Sequence, residues 1–206
     1  MIEDDKRGDE AMTTEIRRAT ADDIPHLARF AIEAYGGFNE ALYDGLAPDQ
    51  SLESLLHPQF ARPNTTPFYE NHWIAMNHDR VAGGMHAFPM EDLATFPRDP
   101  LVPEERHVTV EGLMPDLPAP GTYYIHVLTV YPEFHRRGIA SILLSLALKQ
   151  TAEKGFAECS LYVFAENVGA VALYEKHGFK ETDRGPVIEH RLSYFTGDML
   201  LMTCGV

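Results

Sequence analysis

The stretch that most constrains this chain is Thr122 to Leu144, TYYIHVLTVYPEFHRRGIASILL. β-Branched and aromatic residues run from Thr122 to Tyr131, a loop begins at Pro132, and after Gly138 the apolar residues Ile139, Ile142, Leu143 and Leu146 recur at helical spacing. A strand that passes through a short loop into an amphipathic helix must bury that helix against the strand's sheet, which commits the chain to an α/β class. Alternation along the strand is expected to place Tyr124, His126, Leu128 and Val130 on one face, and Tyr123, Ile125, Val127 and Thr129 on the other.

The rest of the chain extends this pattern. Thr14 to Ala19 alternates like a strand, and Thr20 opens a helix whose first turn holds Asp22, Asp23 and Pro25 and which Gly36-Gly37 stops. A second helix is expected over Asp49 to Leu56, ending before Pro58. His72 to Asn77 and Val81 to Phe88 read as a hairpin around His78-Asp79-Arg80. Gly155 closes the helix after the central loop; then come a strand at Glu158 to Phe164, a helix from Val168 to His177, a strand near Phe179 to Asp183, and a last strand from Tyr194 to Thr203. Residues 91–120 break the pattern with six of the fourteen prolines, and read as an insertion with at most a short helix, serving as a functional loop or as padding. Residues 1–12, polar and acidic, are expected to form a disordered tail, leaving one domain over 13–206.

Composition narrows the function. With 17 Lys and Arg against 31 Asp and Glu, the net charge is −14, the reverse of what phosphate neutralisation needs, so no nucleic-acid partner is expected. An acidic field favours solubility and, to a lesser degree, cationic ligands. No apolar run reaches the ~18 residues of a membrane helix and no secretory pattern opens the chain, so the expectation is a soluble cytoplasmic protein without a membrane partner. Two cysteines and no HExxH motif or Cys/His cluster argue against a metal site.

Two motifs carry chemistry. The first is His135-Arg136-Arg137-Gly138-Ile139-Ala140-Ser141. A helix N-terminus offers unbonded N–H groups and partial positive charge; Gly138 and Ala140 let an anion reach the backbone; and Arg136 and Arg137, which oppose the helix dipole, make sense beside that anion. Two solvated surface arginines would look the same. The second is Asn167 to Phe179, NVGAVALYEKHGF, where Asn167 can cap a helix or bond a ligand, and Tyr174 is either a working hydroxyl or an aromatic packed on the sheet.

In this order and spacing the two motifs resemble the GNAT superfamily of acetyl-CoA-dependent N-acetyltransferases. The family's loop reads Q/R-x-x-G-x-G/A, here with His135 at the Gln/Arg position, and its later segment N-x-x-A-x-x-L-Y-x-x-x-G-F matches from Asn167 to Phe179. The resemblance implies a mixed, mostly antiparallel central sheet flanked by helices, with the insertion before the fourth strand. It also implies a last strand antiparallel to that of Cys159, making Cys159 and Cys204 neighbouring reduced thiols. Acetyl-CoA is the cosubstrate it implies: Leu128, Thr129 and Val130 match the strand end that bonds the pantetheine arm, Arg136 to Ser141 match the pyrophosphate cradle with His135 at its start, Asn167 matches a pantetheine contact, and Tyr174 matches the general acid.

His126, twelve residues before Gly138, is the candidate base, as in certain arylalkylamine acetyltransferases of the superfamily; a structural histidine is the alternative, with Glu133 or a water chain as rival bases. The expected acceptor is a primary amine, preferably a small cationic one such as a polyamine, arylalkylamine or aminoglycoside-like amine. A protein amine, or a non-catalytic acyl-CoA-binding sensor, are the alternatives. A homodimer is left open.

Overall fold

Seven strands build one sheet: β1 (Thr14–Arg18), β2 (His72–Asn77), β3 (Arg80–Pro89), β4 (Tyr123–Val130), β5 (Glu158–Phe164), β6 (Lys180–Pro186) and β7 (Asp198–Gly205), in the order β1-β2-β3-β4-β5-β7-β6. The computed structural model describes residues 14–206; the tail expected over residues 1–12 lies outside the described residues. Every neighbouring pair is antiparallel except β4 and β5, which follow one another through the helix α5 of the central loop and are parallel, as a strand–helix–strand crossover requires.

The helices are α1 (Ile24–Ala34), α2 (Phe38–Tyr43), α3 (Leu52–Ala61), α4 (Glu104–Glu111), α5 (Ile139–Glu153) and α6 (Val168–Lys176). A single 3-10 turn precedes α1, where the Asp23 carboxylate accepts from the Thr20 N–H at 2.7 Å and from both ends of the Arg17 guanidinium at 2.7 and 2.9 Å. That pair, with Asp23 buried and Arg17 partly so, fastens β1 to the start of α1. The core runs from Leu27, Phe30 and Leu56, through Ile74 and Met85, to Leu143, Leu144 and Leu161, all 2% exposed or less.

Two expected boundaries move furthest. The helix expected to end before Pro58 instead runs through it: Ser51 caps α3 by accepting from the Ser54 N–H at 3.2 Å, and Leu55, Leu56 and Phe60 are buried. The proline forfeits one backbone bond, but packing against α1 outweighs it. The last strand starts at Asp198 rather than Tyr194. The residues before it form a loop tied by Tyr194 N–H to the Gly36 carbonyl at 2.8 Å, and by Glu166, whose carboxylate accepts from the N–H groups of Thr196 and Gly197. The insertion holds one 3-10 turn (Met90–Thr95) and the short helix α4. Cys159 and Cys204 stand directly opposite across β5 and β7, both as free thiols.

The faces of β4 also differ from simple alternation. His86 pairs with Val127 and Ala87 with Ile125, so His126 is an extra residue with no partner on β3, a β-bulge. Since directly opposed residues share a face, the bulge flips the parity: Leu128 and Val130 join Tyr123 and Ile125, and Tyr124 joins Val127 and Thr129.

β3 lies close on β4 because Gly83 has no side chain: a Cβ there would sit 2.5 Å from the Thr129 carbonyl oxygen and 3.1 Å from the Val130 Cα. Backbone cannot yield as a flexible side chain does. Gly83→Ala is therefore expected to destabilise the fold by about 1–3 kcal/mol, read as a lower denaturation midpoint at unchanged slope.

Candidate functional site

The site is set by two departures from regular sheet that meet at one residue. β4 pairs with β5 only over Tyr123, Tyr124 and Ile125; beyond them the strands part, so the backbone from His126 to Val130 has β3 on one side and no strand on the other. The bulge falls at the same point. His126 is thus the first residue past the parting, and Leu128, Thr129 and Val130 follow along an open strand edge whose N–H and C=O groups can bond an extended ligand.

At the far end of that edge the chain turns into α5. Arg136 (φ 61°) and Gly138 (φ 78°) are both left-handed, and no side chain caps the helix. A Cβ on Gly138 would meet nothing within 4 Å, so the approach to the first turn is open. Such a turn opening a helix gathers N–H groups into an anion site. Ile139 is buried and anchors the helix; Ala140 and Ser141 are partly exposed in its first turn. The Arg137 guanidinium lies 5.4 Å over the Phe134 ring. His135, expected in the cradle, turns its Nε2 to the Val130 carbonyl at 2.8 Å and so pins the loop to the strand end.

His126 also lines a cavity of about 510 Å³, formed from α1, α2 and α3, from β2 to β5, and from the insertion. Rings crowd His126: Phe96 at 5.1 Å, Phe88 at 5.2 Å, Tyr35 at 5.3 Å and Tyr124 at 5.5 Å between centroids. The Tyr35 hydroxyl hydrogen-bonds its Nε2. Beneath it His86 and His72, opposed across β2 and β3, stack 4.0 Å apart and bond through Nε2 to the Thr66 and Pro67 carbonyls. Burial pushes His126 and His72 down to about 3, and His86, with the other two close by, well below its usual value. All three are neutral at pH 7, so the titration near pH 6 to 7 expected of an ordinary histidine at position 126 is displaced to acid.

The structure does not put every expected residue in that cavity. Tyr174, on α6, is buried beside Phe179 outside its lining, and burial pushes its hydroxyl up to about 12. It acts electrostatically on Tyr124, whose ring meets His126. Asn167 uses its carboxamide oxygen to cap α6 at the Ala170 N–H, 3.3 Å away. Glu133, the rival base, pairs with Arg80 at 2.9 Å on the exposed surface. Tyr35, Tyr124, His86 and Phe96 were missed as site residues; only Tyr124 carried a signal, two residues from His126 on a strand. Among the described residues no group of three or more His, Cys, Asp or Glu could hold a metal ion, and no helix is long and apolar enough to cross a membrane.

Residues 39–179 match the model of the acetyltransferase (GNAT) family, more than half of the chain. The chain belongs to that family. A stretch of 61 residues, 30% of the chain, is 41% identical to a mycothiol acetyltransferase of Clavibacter sepedonicus, of which it covers 20%. A stretch of 54 residues, 26% of the chain, is 39% identical to a [ribosomal protein bS18]-alanine N-acetyltransferase of Salmonella typhimurium, of which it covers 36%. The matches thus span about a fifth to a third of these relatives' lengths. A solved acetyltransferase structure superposes with a TM-score of 0.70 over 93% of this chain and 99% of its own, at 23% identity, and shares the fold.

The three histidines make folding stability depend on pH. Each has a folded pKa below the ~6.5 of the unfolded chain, so the unfolded state binds more protons below pH 6.5. Stability is fully present above pH 6.5 and is lost as pH falls toward 3, with a slope of up to ~1.4 kcal/mol per pH unit for each histidine. Urea unfolding at stepped pH is expected to show this fall, made shallower in His72→Gln.

Proposed function

We propose that this protein transfers the acetyl group of acetyl-CoA to a primary amine held in the cavity beside His126. The reading rests above all on the coincidence at His126 of the strand parting and the bulge, which makes one residue both the start of an open strand edge and part of the lining of a cavity. The residues present fit the cosubstrate: the edge Leu128-Thr129-Val130 suits an extended amide-bearing arm, and the left-handed turn with the uncapped start of α5 suits its pyrophosphate, flanked by Arg136 and Arg137. Bound there, acetyl-CoA supplies an activated acetyl thioester, whose acetyl carbon passes from sulfur to nitrogen.

The chain's own groups handle the charge and the protons. Backbone N–H groups past the parting can stabilise negative charge developing on the carbonyl oxygen. An imidazole as weakly basic as His126 does not strip a proton from an ammonium at pH 7, so the amine enters neutral. His126 then receives the proton that the nitrogen sheds as it is acylated and becomes strongly acidic. Tyr174, kept protonated by burial, offers its hydroxyl to the sulfur as charge develops there.

Three outcomes are expected. Gly138→Val, which puts a branched side chain at the open approach, weakens acetyl-CoA binding by calorimetry. Tyr174→Phe lowers kcat by about 10²–10⁴-fold, read by thiol release, with acetyl-CoA affinity unchanged. With pH, kcat/KM rises through 6 to 8 toward the pKa of the amine itself, with no inflection from histidine, and His126→Gln lowers the profile without changing its shape. A wild-type inflection near 6.5 that the variant lacks would show an ordinary, titrating imidazole.

A further inference from the structure

The cavity's walls say more about the acceptor than its amino group alone. Resting on the transfer reading above, we infer that the acceptor is a monoamine carried on a flat aromatic body, seated against His126 and selected by Phe96 of the insertion.

The first observation is the ring lattice. Tyr35 and Tyr124 meet the His126 imidazole edge-on, at 77° and 71°, while Phe88 and Phe96 lie tilted at 55° and 42°. Phe88 in turn meets Tyr124 edge-on at 5.6 Å and Phe96 at 6.2 Å. These spacings are those at which aromatic rings attract one another beyond simple burial, so a further ring entering the cavity finds faces and edges already arranged. A volume of about 510 Å³ suits a small molecule.

The second observation is charge. The acidic and basic residues of the lining are Arg98, Asp99 and Glu111, all from the insertion, and each is engaged by the protein itself. Arg98 holds Glu111 at 2.7 Å and also pairs with Glu104; Asp99 accepts from the Tyr43 hydroxyl at 2.7 Å and the Leu101 N–H at 2.8 Å. His72, His86 and His126 are neutral. A single amine has partners in such a wall: His72 and His86, in donating Nε2–H to carbonyls, keep Nδ1 as a bare acceptor. Asp99, held only by neutral donors, is the one carboxylate of this lining without a cationic partner, enough for a single ammonium. A polyamine or aminoglycoside would bring further ammonium groups with no second such carboxylate to meet them, and unpaired buried charge is strongly disfavoured. The net charge of −14 gave a reason to expect such polycations, but that charge is not concentrated on this wall.

The third observation is that Phe96 is the ring nearest His126 and comes from the insertion, so it can be altered without touching the sheet. Its removal should cost an aromatic acceptor more than an aliphatic one, since both lose apolar contact but only the first loses a ring partner.

The test is a thiol-release panel with acetyl-CoA, comparing phenethylamine, hexylamine, spermidine and a short peptide with a free N-terminus. Phenethylamine is expected to show kcat/KM at least tenfold above the other three. Phe96→Ala is expected to shrink its advantage over hexylamine to threefold or less, through KM, and Phe96→Leu, which keeps apolar bulk but loses the ring, should do the same. Preference for spermidine, hexylamine or the peptide, or an unchanged ratio in both folded variants, overturns the inference and leaves acetyl transfer standing. If no amine turns over, calorimetry of phenethylamine against the acetyl-CoA-loaded chain decides. Binding weakened by Phe96→Ala keeps the aromatic cavity and removes the transfer reading; absence of binding removes both.

Discussion

The parting of β4 from β5 after Ile125 is the constraint on which the rest of the site depends. A parallel pair that closed along its whole length would satisfy every backbone group and leave no edge for a ligand. Here three residue pairs hold the two halves of the sheet together, and the strand then runs on as an open edge toward the turn at Arg136 to Gly138. The bulge at His126 adds a local bend and frees that residue from its other neighbour, β3. His135, bonding back to the Val130 carbonyl, keeps the end of the edge and the start of α5 in fixed relation.

How much of this was legible depends on how local the cause is. The loop from His135 to Ser141, the cap at Asn167 and the hairpin around Asp79 are set by residues close in sequence, and their positions could be read directly. The bulge could not: it arises from the register of β4 against β3, and the two strands are separated by the whole insertion. Alternation alone therefore put Leu128 and Val130 on the wrong face. Pro58 misled for a related reason, because a local rule against proline in helices was outweighed by packing of Leu55, Leu56 and Phe60 that the local sequence does not declare.

The character of His126 was the least legible part. Its type suggested a group titrating near neutrality, but its surroundings come from Tyr35 at the end of α1, from His86 on β3 and from Phe96 in the insertion. None of these lies within twenty residues of it. Their joint effect is desolvation, which turns an imidazole that would titrate near neutrality into one that rests neutral and hydrogen-bonded. The largely apolar character of the cavity likewise emerges only in three dimensions, since many of the acidic residues that dominate the charge balance pair with arginines or face outward.

The insertion is joined to the body through the Tyr43–Asp99 bond, the Tyr162 hydroxyl on the Leu117 carbonyl and the Ile188 N–H on the Leu113 carbonyl. None of these anchors falls on the loop from His135 to Ser141. On the proposed reading, the insertion's share of the acceptor wall and the loop that would hold the donor lie in separate stretches of chain that fold against a common sheet. Mutations can then accumulate in the insertion while the loop stays under its own constraints, so on that reading the outer wall of the cavity can be rebuilt without rebuilding the turn that opens α5.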